Sequence, residues 1–193
     1  MIFDGTDDSM TLPDSSPYKF TNASSFSISA WAKTALTTAQ WLVGKYSYPS
    51  TSVGYVFDSN NAVASQGRLR LHLQSSATDI IARYGNTNIA DNNWHHLVAT
   101  YNGTNAVSGI KLYVDGSEQT TYTDTSSGTL TSAMDTTDLL RLGVLGTGGA
   151  GYLTGRIDEA QIYPRVLSAA QITQNYTDGN AGVGGPTTIV GAE

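Results

Sequence analysis

The sequence predicts an all-β fold: a two-sheet antiparallel β-sandwich of the jelly-roll kind with one short C-terminal helix. Three observations carry this. Apolar and polar residues alternate with a period of two in segment after segment. Turn pairs built on glycine separate those segments. A single stretch carries the signals that start and stop a helix.

Along the chain, Phe26-Ser-Ile28-Ser-Ala30 is the first clear alternating run, and Leu69-Arg-Leu71-His-Leu73 alternates more sharply. Ile110-Lys-Leu112-Tyr-Val114 and Leu140-Arg-Leu142-Gly-Val144 repeat the pattern. Each run points its apolar set to one face, as expected where two sheets enclose a core. Asn102-Gly103, Asp115-Gly116, Ser127-Gly128 and Gly148-Gly149 are the turns, since these residues tolerate positive φ. The Gly-rich segment Gly146 to Gly151 reads as a hairpin loop. It lacks the Lys-Ser/Thr ending of a phosphate loop and precedes no helix. Ser168-Ala-Ala-Gln171 is a capping box opening the helix, with Ile172 and Tyr176 on one face and Gly179 to end it. Residues 1–180 are read as one domain and 181–193 as a Gly- and Pro-containing tail, in which Thr187 to Val190 is either a short final strand or, as preferred, part of an ordered tail that docks on something.

Composition narrows the function classes. The 193 residues carry a net charge of −6, and only 13% are charged, about half the globular norm. The basic residues are scattered, which argues against nucleic acid as a partner. No cysteine is present, excluding disulfides, a thiol nucleophile and a Cys-based zinc site. No apolar run approaches the ~18 residues of a membrane span, so no membrane insertion is expected. The chain opens on Met1-Ile2-Phe3 with no signal-peptide pattern. Either an export signal has been cut away and replaced by a start Met, or the protein begins here; in the second case the neutral, hydroxyl-rich surface fits a virion surface protein released by lysis.

Two segments resemble the laminin-G-like, concanavalin-A-like lectin-glucanase superfamily. One is Trp94-His-His-Leu-Val-Ala-Thr-Tyr-Asn-Gly103 followed by Ile110 to Gly116. The other is Gly155-Arg-Ile-Asp158-Glu159-Ala-Gln-Ile-Tyr-Pro-Arg165-Val-Leu-Ser168. Phe3-Asp-Gly5 and Phe26 to Trp31 sit where that family places its early strands, and the resemblance runs from about Ile2 to Gly179. It implies the sandwich fold, but that fold hosts lectins, hydrolases and adhesion modules alike. On the residues themselves, Trp94 is a candidate to fill core volume. His95 and His96, adjacent on a strand, must face opposite sides. Ile157 and Ile162 are five apart and share a face only if a β-bulge lies between them.

The resemblance also implies a structural calcium, held by an acidic residue near the chain end together with oxygens of the first strand. Asp4, Asp7 and Asp158 are the candidate ligands, since calcium takes six to eight hard oxygens. The alternative is that Asp4, Asp7 and Asp8 form a solvated turn while Asp158 or Glu159 pairs with Arg156 or Arg165.

Catalysis is not expected. Glycosidases of the laminarinase group carry a Glu-x-Asp-x-x-Glu strand that sets two carboxyls about 5 Å apart. Glu118, Glu159 and Glu193 are the only glutamates, and none begins that pattern. No Gly-x-Ser-x-Gly elbow is present either.

The leading expectation is a surface recognition or adhesion module, extracellular or on a virion, that binds a glycan or a protein surface. Sugar sites combine aromatic faces with planar polar groups. Tyr46, Tyr48 and Tyr55 lie in a polar Tyr-rich segment. Arg68, Arg70 and His72 line the polar side of their strand, and Lys111 with Tyr113 do so on another. If those two strands are neighbours, the rows make one patch; an ordinary solvated sheet face is the alternative. A second expectation is a virion structural or decoration protein docked on a capsid or other homo-oligomeric assembly, with glycan adhesion secondary.

Overall fold

The computed structural model describes residues 1–48, 51–60, 67–146, 151–180 and 190–191. Among them the chain forms two seven-stranded sheets and one α-helix. Sheet I has the strand order β1 (Ile2–Asp4), β13 (Thr154–Tyr163), β3 (Phe26–Lys33), β8 (His95–Tyr101), β9 (Ile110–Val114) and β10 (Ser117–Glu118), with β14 (Val190–Gly191) also on β13. Sheet II runs β11 (Thr123–Ser127), β7 (Ile80–Asn88), β6 (Arg68–Gln74), β5 (Gly54–Asn60), β4 (Gln40–Tyr46), β12 (Leu140–Leu142) and β2 (Met10–Leu12). The edges are short strands or, in β11, a run exposed at every residue, which limits pairing with other chains.

The alternating runs build the core as their pattern requires. Leu69, Leu71 and Leu73 of sheet II and Leu97, Leu112 and Ile157 of sheet I are all fully buried in one cluster between the sheets. Phe20 stacks on Phe26 at 4.3 Å, and Tyr55 and Tyr101 close that end of the core. The Asp115-Gly116 pair makes the two-residue β9–β10 turn with both residues at positive φ, +51° and +76°, the conformation such a hairpin needs.

The predicted bulge is present. The β13–β3 register shifts between Asp158 and Gln161, and Glu159 sits at φ +47°. One extra residue lets Ile157, Ala160 and Ile162 all reach the core. The capping box also forms: Ser168 N–H donates to Gln171 Oε1 at 3.0 Å, and Gln171 N–H donates to Ser168 Oγ at 3.3 Å. From it the helix α1 (Ala169–Asn180) lies across the outer face of sheet I, packing Ile172 against Val98, Tyr113 and Leu167. Gly179 lies inside the last turn, buried against Trp31, rather than beyond the helix end.

Two expectations need correction. Trp94 precedes β8 and is only half-buried, because the core at that level is closed by Leu97 and its neighbours. The strands on either side of Gly146–Gly151 belong to different sheets, so that connection crosses the sandwich instead of closing a hairpin; residues 147–150 lie outside the described residues. Of the tail, Val190 and Gly191 pair in parallel with Gln161 and Ile162, so these two residues dock on the domain's own sheet.

Candidate functional site

Cross-strand register on the outer face of sheet II assembles the site. Trp41 stands beside Asp58, Asp58 beside Arg70 and Arg70 beside Tyr84, a row over four strands. The next row holds Gly44, Val56, His72 and Ala82, three of them small. Tyr46 and Gln74 flank it on the far side. Rows on one face are about 7 Å apart, so short side chains between large ones leave a depression. It is a cleft of about 480 Å³ walled by Trp41, Tyr46 and Tyr48, with Val56, Arg70 and His72 beneath and Leu145 and Gly151 at its margin. That volume falls in the usual range for a small-ligand site.

The polar groups of the cleft are tied to one another. Arg70 donates from Nε to Asp58 Oδ1 at 2.8 Å and from Nη2 to Asp58 Oδ2 at 2.5 Å. Its guanidinium also lies 5.6 Å from the ring centres of both Trp41 and Tyr84. Burial opposes the Arg70 charge, but the Asp58 carboxylate outweighs it and holds the guanidinium more firmly protonated than usual. Asp58 is fully buried, so the pair is a neutral unit in the floor. Gln74 Oε1 accepts from both Tyr46 OH and His72 Nε2, the latter at 3.1 Å. Burial, then the nearby Arg70 charge, push the His72 imidazole down to about 3, so it is neutral at physiological pH. Because Nε2 donates to Gln74, the other nitrogen of the neutral ring is an acceptor.

The sequence-derived site residues divide sharply. Tyr46, Tyr48, Arg70 and His72 converge on the cleft. Arg68 starts the same polar row but is not part of the lining. Tyr55 faces the other way: in register with Lys45 and Leu73 it is 1% exposed in the core, its hydroxyl donating to the Tyr18 carbonyl. Lys111 and Tyr113 belong to sheet I and meet Glu118 there, at 3.1 and 3.3 Å. The expected single patch does not form, because β6 and β9 lie in opposite sheets.

Sequence reading missed Trp41, Leu145 and Gly151. Trp41 lies in the apolar run Trp41-Leu42-Val43, which hides alternation; a register shift between Trp41 and Val43 turns the indole outward. Gly151 has φ +73°, and a β-carbon there would stand 1.9 Å from Trp41 Nε1. Only glycine lets this backbone lie against the indole edge.

Asp4, Asp7 and Asp158 do not converge. Asp4 is in register with Thr154, four residues before Asp158 along β13, about 13 Å away. Asp4 Oδ1 accepts from Thr6 N–H at 2.8 Å and Asp8 Oδ2 from Asp4 N–H at 3.0 Å, so these carboxylates cap their own turn. Among the described residues no group of three or more His, Asp or Glu side chains could hold one metal ion. This donor set does not fit a shared calcium.

Residues 4–173 match the profile of the concanavalin A-like lectin/glucanases superfamily, in its Laminin_G_3 family. The chain belongs to that superfamily. No curated protein matches its sequence. Among solved structures, the superfamily member is similar to the binding domain of Paraclostridial Mosquitocidal Protein 1, with a TM-score of 0.62 and 16% identity. That match covers 91% of this chain but 42% of the other, so the chain spans less than half of it. The CBM40 domain of the Ruminococcus gnavus IT-sialidase, bound to α2,3-sialyllactose, gives 0.59 and 15% over 88% of this chain and 97% of that one. Domain 4 of AbnA, a GH43 extracellular arabinanase from Geobacillus stearothermophilus, in complex with arabinotriose, gives 0.58 and 24% over 86% and 71%. At these identities the likeness is one of fold. No helix among the described residues is long and apolar enough to cross a membrane.

Proposed function

We propose that this protein is a non-catalytic, extracellular carbohydrate-binding module and that the sheet II cleft takes a neutral glycan. The observation that carries this is the wall of Trp41, Tyr46 and Tyr48 around a floor whose one guanidinium is neutralised by Asp58. Aromatic faces suit the apolar faces of sugar rings. The neutral imidazole, the Tyr hydroxyls and the Gly151 backbone suit hydroxyl groups. The net charge of −6 further disfavours acidic ligands. Hydrolysis would need two carboxyls flanking the bond; the described lining has none, and Asp58 below it is bound by Arg70. The likeness in fold to one domain in complex with arabinotriose and another bound to sialyllactose supports the ligand class.

The test is a glycan array followed by calorimetry on its strongest neutral and sialylated ligands at two salt concentrations. Binding to neutral oligosaccharides, insensitive to salt and abolished by Trp41→Ala, is the expected result. A preference for sialylated glycans that weakens with salt would remove the neutral-ligand assignment, and an empty array would remove the module itself.

A further inference from the structure

A second cavity lies on the opposite side of the sandwich, between helix α1 and the outer face of sheet I. Its volume is about 210 Å³. From the sheet it is lined by Ser29, Trp31 and His96, and from the bulge by Glu159 and Gln161. From the last turns of the helix it is lined by Asn175, Asp178 and Gly179. Its volume equals that of several water molecules, and it is more polar than the sheet II cleft.

Two observations mark it as more than a packing gap. Trp31 and His96 are each 2% exposed, yet among the described residues Trp31 Nε1 and His96 Nδ1 have no hydrogen-bond partner. His96 Nε2 is shared with Ser29 Oγ at 3.0 Å, so only Nδ1 is left over. Buried unpaired polar groups are costly and uncommon in native proteins. In addition, Glu159 and Asp178 bring two carboxylates to the cavity, with no Lys or Arg in its lining and no ion pair to either among the described residues. Asp178 Oδ1 accepts from the neutral Gln174 amide, at 2.8 Å. Glu159 reaches the cavity because the bulge holds it at φ +47°, an uncommon conformation for a residue other than glycine. Gly179 keeps the space open: a β-carbon there would come within 2.2 Å of Trp31 Nε1 and 3.1 Å of Glu159 Oε2.

We propose that this cavity is a second binding site, for a small protonated amine carrying a hydroxyl on a neighbouring carbon. The ammonium donates to Glu159 and Asp178, while the hydroxyl oxygen accepts from Trp31 Nε1–H. The indole, stacked on Tyr176 at 5.7 Å, adds the aromatic surface that cations favour. An amino alcohol, or the amine corner of an amino sugar, has this chemistry, and the site is independent of the sheet II cleft.

The probe is 2-aminoethanol, titrated into the ¹⁵N-labelled protein while the indole N–H resonances are followed. Trp31→Phe assigns its own peak by removing it. The expected result is a saturable shift of the Trp31 peak, with those of Trp41 and Trp94 unmoved. Losing one charge-assisted contact in Glu159→Gln should weaken binding by about tenfold. Asp178→Asn, at a lining residue that is itself solvent-exposed, gives the same reading should the bulge variant fold poorly. Ethane-1,2-diol and acetate, which lack the ammonium, should not shift the peak. An unmoved Trp31 peak, an equal response to ethane-1,2-diol, or binding unaffected by loss of either carboxylate would overturn the proposal and leave the cavity to water.

Discussion

The two outer faces of this sandwich begin alike and end differently. Each carries a Trp and a His on neighbouring or near-neighbouring strands, Trp41 with His72 on sheet II and Trp31 with His96 on sheet I. On sheet I a helix roofs the face, burying Trp31 and His96. On sheet II no helix crosses among the described residues, and the face is a cleft. The polar groups follow suit. Arg70, Asp58, Tyr46, Gln74 and His72 form hydrogen bonds among themselves. Beneath the helix, two buried ring nitrogens have no partner among the described residues. A sheet face becomes a ligand site either by staying uncovered with its charges settled, or by being covered imperfectly.

The most damaging change should be Asp58→Ala. It leaves the Arg70 guanidinium buried without a counter-charge, at a cost of about 3 kcal/mol or more. Urea unfolding should show the loss, whereas Lys111→Ala, in an exposed pair on the other sheet, should leave the midpoint nearly unchanged. Equal effects would show that the Asp58–Arg70 pair is no keystone of the sheet II face.

Gly151→Ala should lower glycan affinity by at least about tenfold, because it displaces Trp41 from the cleft wall. It should also cost about 1 kcal/mol for forcing a side chain into positive φ. The Trp31 indole resonance should stay in place, and movement of that peak instead would contradict the separation of the two faces.

Acid should distinguish the three histidines. His72 and His96 are depressed, to about 3 and about 4, chiefly by burial. The unfolded chain takes up their protons near pH 6.5 and the folded chain does not, so stability is lost as pH falls from about 6.5 towards 4. His95 behaves oppositely. Its Nδ1 donates to Asp115 at 2.8 Å and its Nε2 to Asp91 at 3.1 Å, and hydrogen bonding to Asp115, opposed by partial burial, raises its pKa. Its contribution is therefore complete below about pH 6.5 and is lost as pH rises through the raised value. Denaturant curves from pH 8 to 4.5 should show stability first rising, then falling. His95→Gln should remove the rise and keep the fall; a variant that keeps both would exclude His95 as the cause.

The smallest effect should be Ser168→Ala, which removes one half of the capping box, a loss of about 1 kcal/mol. Amide exchange should quicken in α1 and in the strands it covers while the sheet II cleft keeps its protection. Uniform acceleration would mean that the helix holds the whole sandwich together.

The fold was legible because each signal it needed was local. Alternation in Leu69–Leu73 and Ile110–Val114, the Asp115-Gly116 turn, the Ser168 cap and the five-residue spacing of Ile157 and Ile162 each involve residues within one element, where backbone geometry alone relates sequence position to facing. Half of the candidate site was legible on the same grounds: Arg70 and His72 had to share a side of their strand, and Tyr46 and Tyr48 lay in the adjoining segment.

What the sequence could not determine was which strands are neighbours, and therefore which polar rows meet. Lys111 and Tyr113 alternate as cleanly as Arg70 and His72, yet sheet assignment put them on the opposite surface. Trp41 joined the cleft through a register shift that no pattern in its apolar run announces. Tyr55 was lost to the core by the parity of its pairing with Leu73. Asp4 and Asp158 were kept apart by four residues of register on β13. By itself the sequence determined the facing of side chains within its cleanly alternating strands, because that depends on backbone geometry a few residues long. Only the tertiary structure decided the sites, because they depend on pairings between residues distant in the chain, chosen by the packing of the whole core.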